Sequence, residues 1–530
     1  MDSIRQRQWL LAALSGILQV LIFPSPSLYF LGWIALVPLL IAIARPGFTA
    51  PDVISPSGKI LAWTTPLRGF FLGYLSGLIW YAGSCYWVFH VMHRYGKLST
   101  PAALGVLALF CFYLAIYHGL FGFLLALAAL RPLHGLRRAL LLAPFLWVAV
   151  ELARARITGF PWDLLGTSQV DNIPLTRVAV LTGVYGISFI IVLVNCGMAA
   201  TLLAPAAHRR RLLPLALAIA VMLQFGIFLH PRALTAPHSA LLVQQNVPLD
   251  EEWTPPSLQA TFTELAQISA LPASSAGDGP RLIVWPESPA PFFESDPGFR
   301  QRISGLARQQ AAHILVTLVG ELPVHLPGGE PAQTNRVALI AANGAWLGHY
   351  DKIHLVPFGE YVPFKRIFAF AGGLTEAVGN YVPGNTRSRF EIEGHKFAAF
   401  ICYESIFPDE VRQFAAAGAQ VFINVSDDGW YGRYGAPGQH LNMARMRAIE
   451  NRRWVLRATN SGITASIDPL GRVVAQSPPF ARNTLAAPYD FASVTTLYTL
   501  HGDWFAWACV IISLAGLFVR FRFQAGSISS

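Results

Sequence analysis

The chain has 530 residues, 54% of them hydrophobic and only 13% charged, and its mean hydropathy is +0.45. Those figures exclude a wholly water-borne protein and point to a membrane class. The formal charge of +10 would suggest nucleic-acid binding in a soluble protein; here Lys and Arg stand at the ends of apolar runs, where they set orientation and meet anionic headgroups, so membrane lipids are the expected partners and no nucleic acid is.

A hydrocarbon core about 30 Å thick takes roughly 20 apolar helical residues to cross. Eight runs approach that length: 8–24, 28–45, 68–92, 102–130, 139–155, 176–204, 212–230 and 502–522. Arg5 and Arg7 precede the first run as they would in a signal peptide, but no small-residue cleavage site follows and a second run begins at once, so the first is read as a span. With the N-terminus in the cytoplasm, Arg45, Lys59, Arg68, Arg131, Arg137, Arg138, Arg209, Arg210, Arg211, Arg520 and Arg522 join Arg5 and Arg7 on one side. The opposite short loops hold Arg94, Lys97, Arg154, Arg156 and Arg177. The excess of cations inside predicts a transmembrane bundle of seven helices over 1–230, an exported domain over 231–501, and a closing helix with a short cytoplasmic tail over 502–530. A solute transporter would also carry ionisable residues in its spans, but Glu151 lies near a helix end beside Arg154 and Arg156 and reads as interfacial.

Between the last two spans, polar residues return and short apolar strands alternate with helical stretches. Strands are expected at 240–244, 281–285, 314–319, 337–340, 397–401 and 421–425, and helices at 256–271, 298–311, 408–417 and 438–452. That alternation predicts a layered α/β fold of about 270 residues, large enough to bury its own core. The Ala273–Gly277 stretch reads as flexible, and the aromatic stretch 364–381 as a lid dipping into lipid.

Five cysteines, Cys85, Cys111, Cys196, Cys402 and Cys509, form no CxxC pair or metal spacing, and Cys402 stands alone outside the apolar runs. A thiol accepts an acyl group only as thiolate, and its ordinary pKa of about 8.5 leaves it protonated at neutral pH. It needs a base and gains from a cation. Glu287, in Trp285-Pro286-Glu287-Ser288, and Lys352, in Asp351-Lys352-Ile353-His354, stand near other strand ends and could serve. Each also has a plainer reading: a buried small side chain for the Cys, a turn cap for the Glu, a solvated cation for the Lys.

Glu, Lys and Cys in that order resemble the nitrilase superfamily. Longer stretches resemble its membrane-embedded branch, the apolipoprotein N-acyltransferase family: Thr158-Gly159-Phe160-Pro161-Trp162, the run His354 to Pro363, Ile401-Cys402-Tyr403-Glu404, Gln439 to Ala448 and Thr459 to Ala465. The resemblance implies an αββα sandwich beside a bundle of about eight transmembrane helices, in a bacterial inner membrane with the catalytic domain periplasmic. It implies that Glu287 is the general base, Lys352 the oxyanion-stabilising cation and Cys402 the nucleophile. Glu360 would support Lys352, Tyr403 and Glu404 would shape the pocket, and Asn335 and Trp253 would stand near the site and its entrance. It implies no cofactor and no metal, a phospholipid acyl donor such as phosphatidylethanolamine, a diacylated apolipoprotein acceptor and a monomer. A hydrolase of the same fold, in which water resolves the thioester, is the nearest alternative. The chain departs from the family's pattern at Asp427, where Asn is expected before Asp428, and at Gly429, where Ala is expected.

Overall fold

The computed structural model describes residues 2–44, 64–130, 135–229, 231–270, 280–325, 329, 331–361 and 381–525. The expected lid, apart from Tyr381, and the Ala273–Gly277 stretch lie outside these residues, as do Arg45, Lys59 and Arg131. Two compact units form: one of Met1–Phe89, Leu104–His230 and Asp503–Ser530, the other of His90–Ala103 and Pro231–Gly502.

The first unit is helical, and Thr100–Ala129, Val184–Leu203 and Ala206–Phe228 are long and apolar enough to cross a membrane. Other apolar runs are interrupted. The run 28–45 is a 3₁₀ turn, Tyr29–Trp33, followed by the eight-residue helix Val37–Ala44. Helix Pro66–Ser84 stops at Cys85, which leaves helical geometry. The run 176–204 is divided at Gly183, with φ +65° and ψ −172°, a conformation that glycine alone adopts without strain. Glu151 stands near the end of helix Gly135–Ala153. It is buried and its Oε1 accepts from the backbone N–H of Leu165 at 2.7 Å, while buried Arg154 donates to the Trp162 carbonyl at 2.7 Å. The helix end is folded inward because its polar groups find internal partners. Cys85, Cys111, Cys196 and Cys509 are buried and unbridged.

The second unit is a sandwich of two six-stranded sheets. The first contains β1 (His238–Gln244), β2 (Leu282–Val284), β3 (His313–His325), β4 (Pro331–Ile340) and β5 (Trp346–Asp351). The second contains β6 (Phe390–Ile392), β7 (His395–Ile401), β8 (Val421–Ser426), β9 (Trp454–Thr459), β10 (Ala465–Ile467) and β11 (Val473–Gln476). The last strand, β12 (Asn483–Tyr489), returns to the first sheet beside β1, giving the orders β12-β1-β2-β3-β4-β5 and β11-β10-β9-β8-β7-β6.

Strand alternation explains the layers. In β1, β2 and β4, Leu242, Val284 and Val337 face the core shared by the two sheets, whereas Val243, Ile283 and Ala338 face the helices Pro255–Ile268 and Pro297–Gln310 through Phe262, Leu265, Phe299 and Ile303. Both faces of these strands are covered, so they read as unbroken apolar runs. On the second sheet lie Pro408–Ala416 and Ala436–Asn451. All four helices have Pro in their first turn, where its missing N–H costs nothing. Thr254 and Ser257 form a capping box on the first, and Asp296 caps the second through the Gly298 amide.

Residues 90–103, which the sequence suggests are partly span and partly loop, belong to this unit. Arg94 pairs with Asp250, and the Tyr95 hydroxyl donates to the Gly429 carbonyl at 3.3 Å.

Candidate active site

Antiparallel pairing of β4 with β5 sets Arg336 opposite Asp351, which brings Asn335 beside Lys352 just past the end of β5. The Lys352 amide donates to the Asn335 carbonyl at 2.9 Å, and the Gly384 amide donates to the Lys352 carbonyl at 2.8 Å. A Cβ at Gly384 would lie 2.3 Å from the Asp351 carbonyl, so this approach needs glycine. The main chain of the lysine is thus fixed from both sides.

Its ammonium lies between two carboxylates. Lys352 Nζ is 3.2 Å from Glu287 Oε1 and 3.0 Å from Glu360 Oε1. Asn335 Nδ2 bridges the same two oxygens, donating at 2.9 Å and 2.8 Å. Glu287 Oε2 accepts from the Asp427 amide at 3.0 Å, and Glu360 Oε2 from the Val356 amide at 2.8 Å. All four side chains are buried, Lys352 at 1% exposure. Burial alone would depress the ammonium, but the charges of Glu287 and Glu360 hold it well above the ordinary lysine range. The group is therefore a fixed positive charge.

Cys402 follows β7 as the first residue of a 3₁₀ turn, Cys402–Ile406, and has φ +50°. Burial pushes its thiol well up, the Glu287 carboxylate adds to the rise, and Lys352 pulls against it. It rests as a neutral thiol beside a carboxylate and a cation. Glu404, wholly buried, ties the turn to the lysine segment: Oε1 accepts from the Tyr350 hydroxyl at 2.7 Å and from the Ile353 and His354 amides at 2.7 and 3.1 Å, and Oε2 accepts from the Ile401 amide at 2.7 Å. The Tyr403 ring is buried edge-on to Phe407, with centroids 5.2 Å apart.

The structure thus brings Glu287, Lys352, Asn335 and Glu360 into one hydrogen-bonded group, with Cys402 within their electrostatic reach. Glu404 and Tyr403 lie on the same turn as Cys402. Trp253 is partly buried against the helix-covered core that includes Phe262 and Trp285.

The sequence gives no role to four further neighbours. The Asp427 amide holds Glu287, while its side chain accepts from the Gly429 amide and from Asn460 Nδ2, each at 2.9 Å. Burial pushes this carboxyl up to about 7, the bonds from Asn460 and Gly429 opposing the rise. Asp428 accepts from Arg457 at 2.7 Å and lies 2.8 Å from His440 Nδ1, and all three are fully buried. Burial would raise Asp428, but Arg457 and His440 outweigh it and hold the carboxyl far below its ordinary range. Their signal was the stretch beginning Gln439-His440, whose polar residues sit on a helix that is otherwise buried. Among the described residues, no group of three or more His, Cys, Asp or Glu side chains is arranged to hold a metal ion.

Comparison with known proteins covers nearly the whole chain. Residues 15–197 match the family described as the apolipoprotein N-acyltransferase N-terminal domain, and residues 241–498 match carbon-nitrogen hydrolase. An apolipoprotein N-acyltransferase of Geobacter metallireducens is 36% identical over 96% of this chain and 94% of its own length. Its counterpart in Methylococcus capsulatus is 34% identical over 88% and 91%. Among solved structures, an amidase from Nesterenkonia sp. is 21% identical, with a TM-score of 0.38, covering 52% of this chain and 99% of that one. A Saccharomyces cerevisiae member of branch 10 of the nitrilase superfamily is 19% identical, also with a TM-score of 0.38, covering 49% and 93%. Two family matches that follow one another along the chain, and relatives aligned over nearly their full length, establish that this chain belongs to the apolipoprotein N-acyltransferase family, with a nitrilase-like α/β sandwich as its second half.

Proposed function

We propose that the protein transfers a fatty acyl chain from a phospholipid to the N-terminal amine of a diacylglyceryl-cysteine on an apolipoprotein, with Cys402 carrying the chain between them as a thioester. The observation that carries this reading is the shared ammonium: Lys352 Nζ within 3.2 Å of both Glu287 and Glu360, at the strand ends where Cys402 sits. The names of the bacterial relatives support the substrate pair.

Glu287 takes the thiol proton and the sulfur attacks an ester carbonyl of the donor. Lys352 neutralises the oxyanion. As the tetrahedral species collapses, the C–O bond breaks and Glu287 returns the proton to the departing lysophospholipid oxygen. The acceptor amine then attacks the thioester; Glu287 removes a proton from the nitrogen, the C–S bond breaks, and the thiolate is reprotonated. One proton shuttles and none is lost, so a single base serves both half-reactions and the kinetics are ping-pong. Glu360 and Asn335 keep Lys352 aimed. Because a thioester is higher in energy than an amide, the second step runs downhill.

Phosphatidylethanolamine is the donor on the family resemblance. Both substrates are lipid-anchored, which accounts for a soluble fold carried by apolar helices. We place the protein in a bacterial inner membrane as a monomer with eight spans, both termini cytoplasmic and 231–501 periplasmic, on the distribution of Lys and Arg. Incubation of purified protein with acyl-labelled phosphatidylethanolamine and a diacylated lipopeptide tests the reaction. The expected product is lipopeptide heavier by one acyl chain in amide linkage. Release of free fatty acid with no acylated peptide would overturn the transferase reading in favour of hydrolysis.

A further inference from the structure

We infer that His440 is a positioning residue for the nucleophile: backed by Asp428 and Arg457, its imidazole accepts from the Ser405 hydroxyl and so fixes the turn that carries Cys402, and with it the aim of the thiol. The inference rests on the acyl-transfer reading above and adds a residue to it.

Cys402 has φ +50°, a conformation that a residue bearing a Cβ leaves unless its surroundings hold it. Two clamps meet at this point. On the strand side, Glu404 Oε2 takes the amide of Ile401 at 2.7 Å. On the other side, the carbonyl of Cys402 itself lies 3.1 Å from His440 Nε2, and the same nitrogen lies 2.8 Å from Ser405 Oγ. The ring therefore touches the nucleophile turn at two points.

What holds the ring lies behind it. Helix Ala436–Asn451 delivers His440, and Nδ1 sits 2.8 Å from Asp428 Oδ1. The opposite oxygen of that carboxylate accepts from Arg457, on β9, at 2.7 Å, and Ser426, at the end of β8, donates to Oδ1 at 2.9 Å. Arg457 also donates to Asn424 on β8, whose Nδ2 donates to the Phe400 carbonyl on β7 at 3.2 Å. A carboxylate paired with guanidinium is an acceptor only, so Nδ1 carries a proton, the ring cannot flip without losing that bond, and Nε2 is left as an acceptor for the Ser405 hydroxyl while the Cys402 carbonyl only packs against it. Asp428, His440 and Arg457 are all at 0% exposure, so no solvent competes for these bonds. The network spans β7, β8, β9 and the helix, and it meets the nucleophile turn at the Ser405 hydroxyl and, through Ser426, at the Cys402 thiol itself. Its task is geometry rather than proton transfer.

The test uses the full chain in detergent, with acyl-labelled phospholipid under single-turnover conditions. The wild type forms a hydroxylamine-sensitive adduct; its absence there would remove the acyl-transfer reading itself, whatever the variants do. His440→Asn keeps a polar group near Asp428 but leaves the Ser405 hydroxyl without its acceptor, and its adduct should form about 100-fold more slowly, with KM for phospholipid within about twofold of wild type. His440→Gln can offer its amide oxygen to the Ser405 hydroxyl and should recover to within about 10-fold. Alkylation of Cys402 by iodoacetamide, followed by peptide mass spectrometry, should fall and recover in step. Asp428→Asn keeps the network's shape without the charge that orients the ring, and should slow the adduct about 10-fold. Wild-type rates in His440→Asn or Asp428→Asn would overturn the inference. So would His440→Gln as slow as His440→Asn at equal thermal stability, or a loss confined to KM.

Discussion

Lys352 is held between two buried carboxylates, and removing it leaves both without their cation. Lys352→Ala should therefore lower stability by about 3–5 kcal/mol, visible as a lower melting temperature in detergent. The same change should slow acylation of the enzyme by about 10²–10³, because the oxyanion loses its charge partner; an adduct rate unchanged in this variant would take Lys352 out of the mechanism. Asp427 carries a different expectation. Its carboxyl is pushed up to about 7 in the folded chain, against about 3.9 for an unperturbed aspartate. Between those values the folded chain keeps a proton that the unfolded chain gives up, so stability falls as pH rises, by up to about 1.4 kcal/mol per pH unit. Asp427→Asn should flatten that slope, and melting curves from pH 4 to 7 measure it. Glu287, Lys352 and Cys402 stood out in the sequence because each carries reactive chemistry beside a strand end, and the meeting of Glu287 with Lys352 is what the fold adds. Trp253 was named on resemblance alone, and the contacts of its ring are with the core.

The nucleophile turn and the segment after β5 are joined by one side chain. Glu404 accepts four hydrogen bonds, from Tyr350, Ile353, His354 and Ile401. Glu404→Gln turns one acceptor oxygen into a donor facing donors, which should cost about 1–3 kcal/mol and slow the adduct as the turn shifts relative to Lys352. Unchanged stability and rate in this variant would show that the turn is held by other contacts. The four helices of the sandwich were readable to within a few residues because each has Pro in its first turn, three of them after a polar or turn-forming lead, Thr254, Asp296 or Gly435. Half the strands were not. β5 lies at the edge of its sheet with mostly exposed residues, and β11 alternates between partial and full exposure, so neither forms an apolar run. β9 fails for another reason: Arg457 interrupts Trp454–Thr459 in sequence, yet it is fully buried because Asp428 neutralises it. A pattern of single residues cannot foresee a partner from another strand. Within the run 176–204, hydropathy registers composition but not the break that Gly183 makes ahead of the helix Val184–Leu203.

The division of the chain into an apolar helical unit and a two-sheet α/β unit follows from composition, and the two family matches fall on the same halves. Lys and Arg distribution predicts that an engineered cysteine at exposed Ser239 of the second unit is labelled by an impermeant maleimide from the periplasm of intact spheroplasts, and that one at exposed Arg209 is not. The reverse pattern would invert the proposed topology. The central claim is the thioester. Full-length protein incubated with acyl-labelled phospholipid and no acceptor should acquire a hydroxylamine-sensitive label that maps to Cys402 and is absent from Cys402→Ala; a label that persists in Cys402→Ala, or no label on the wild type, would contradict it.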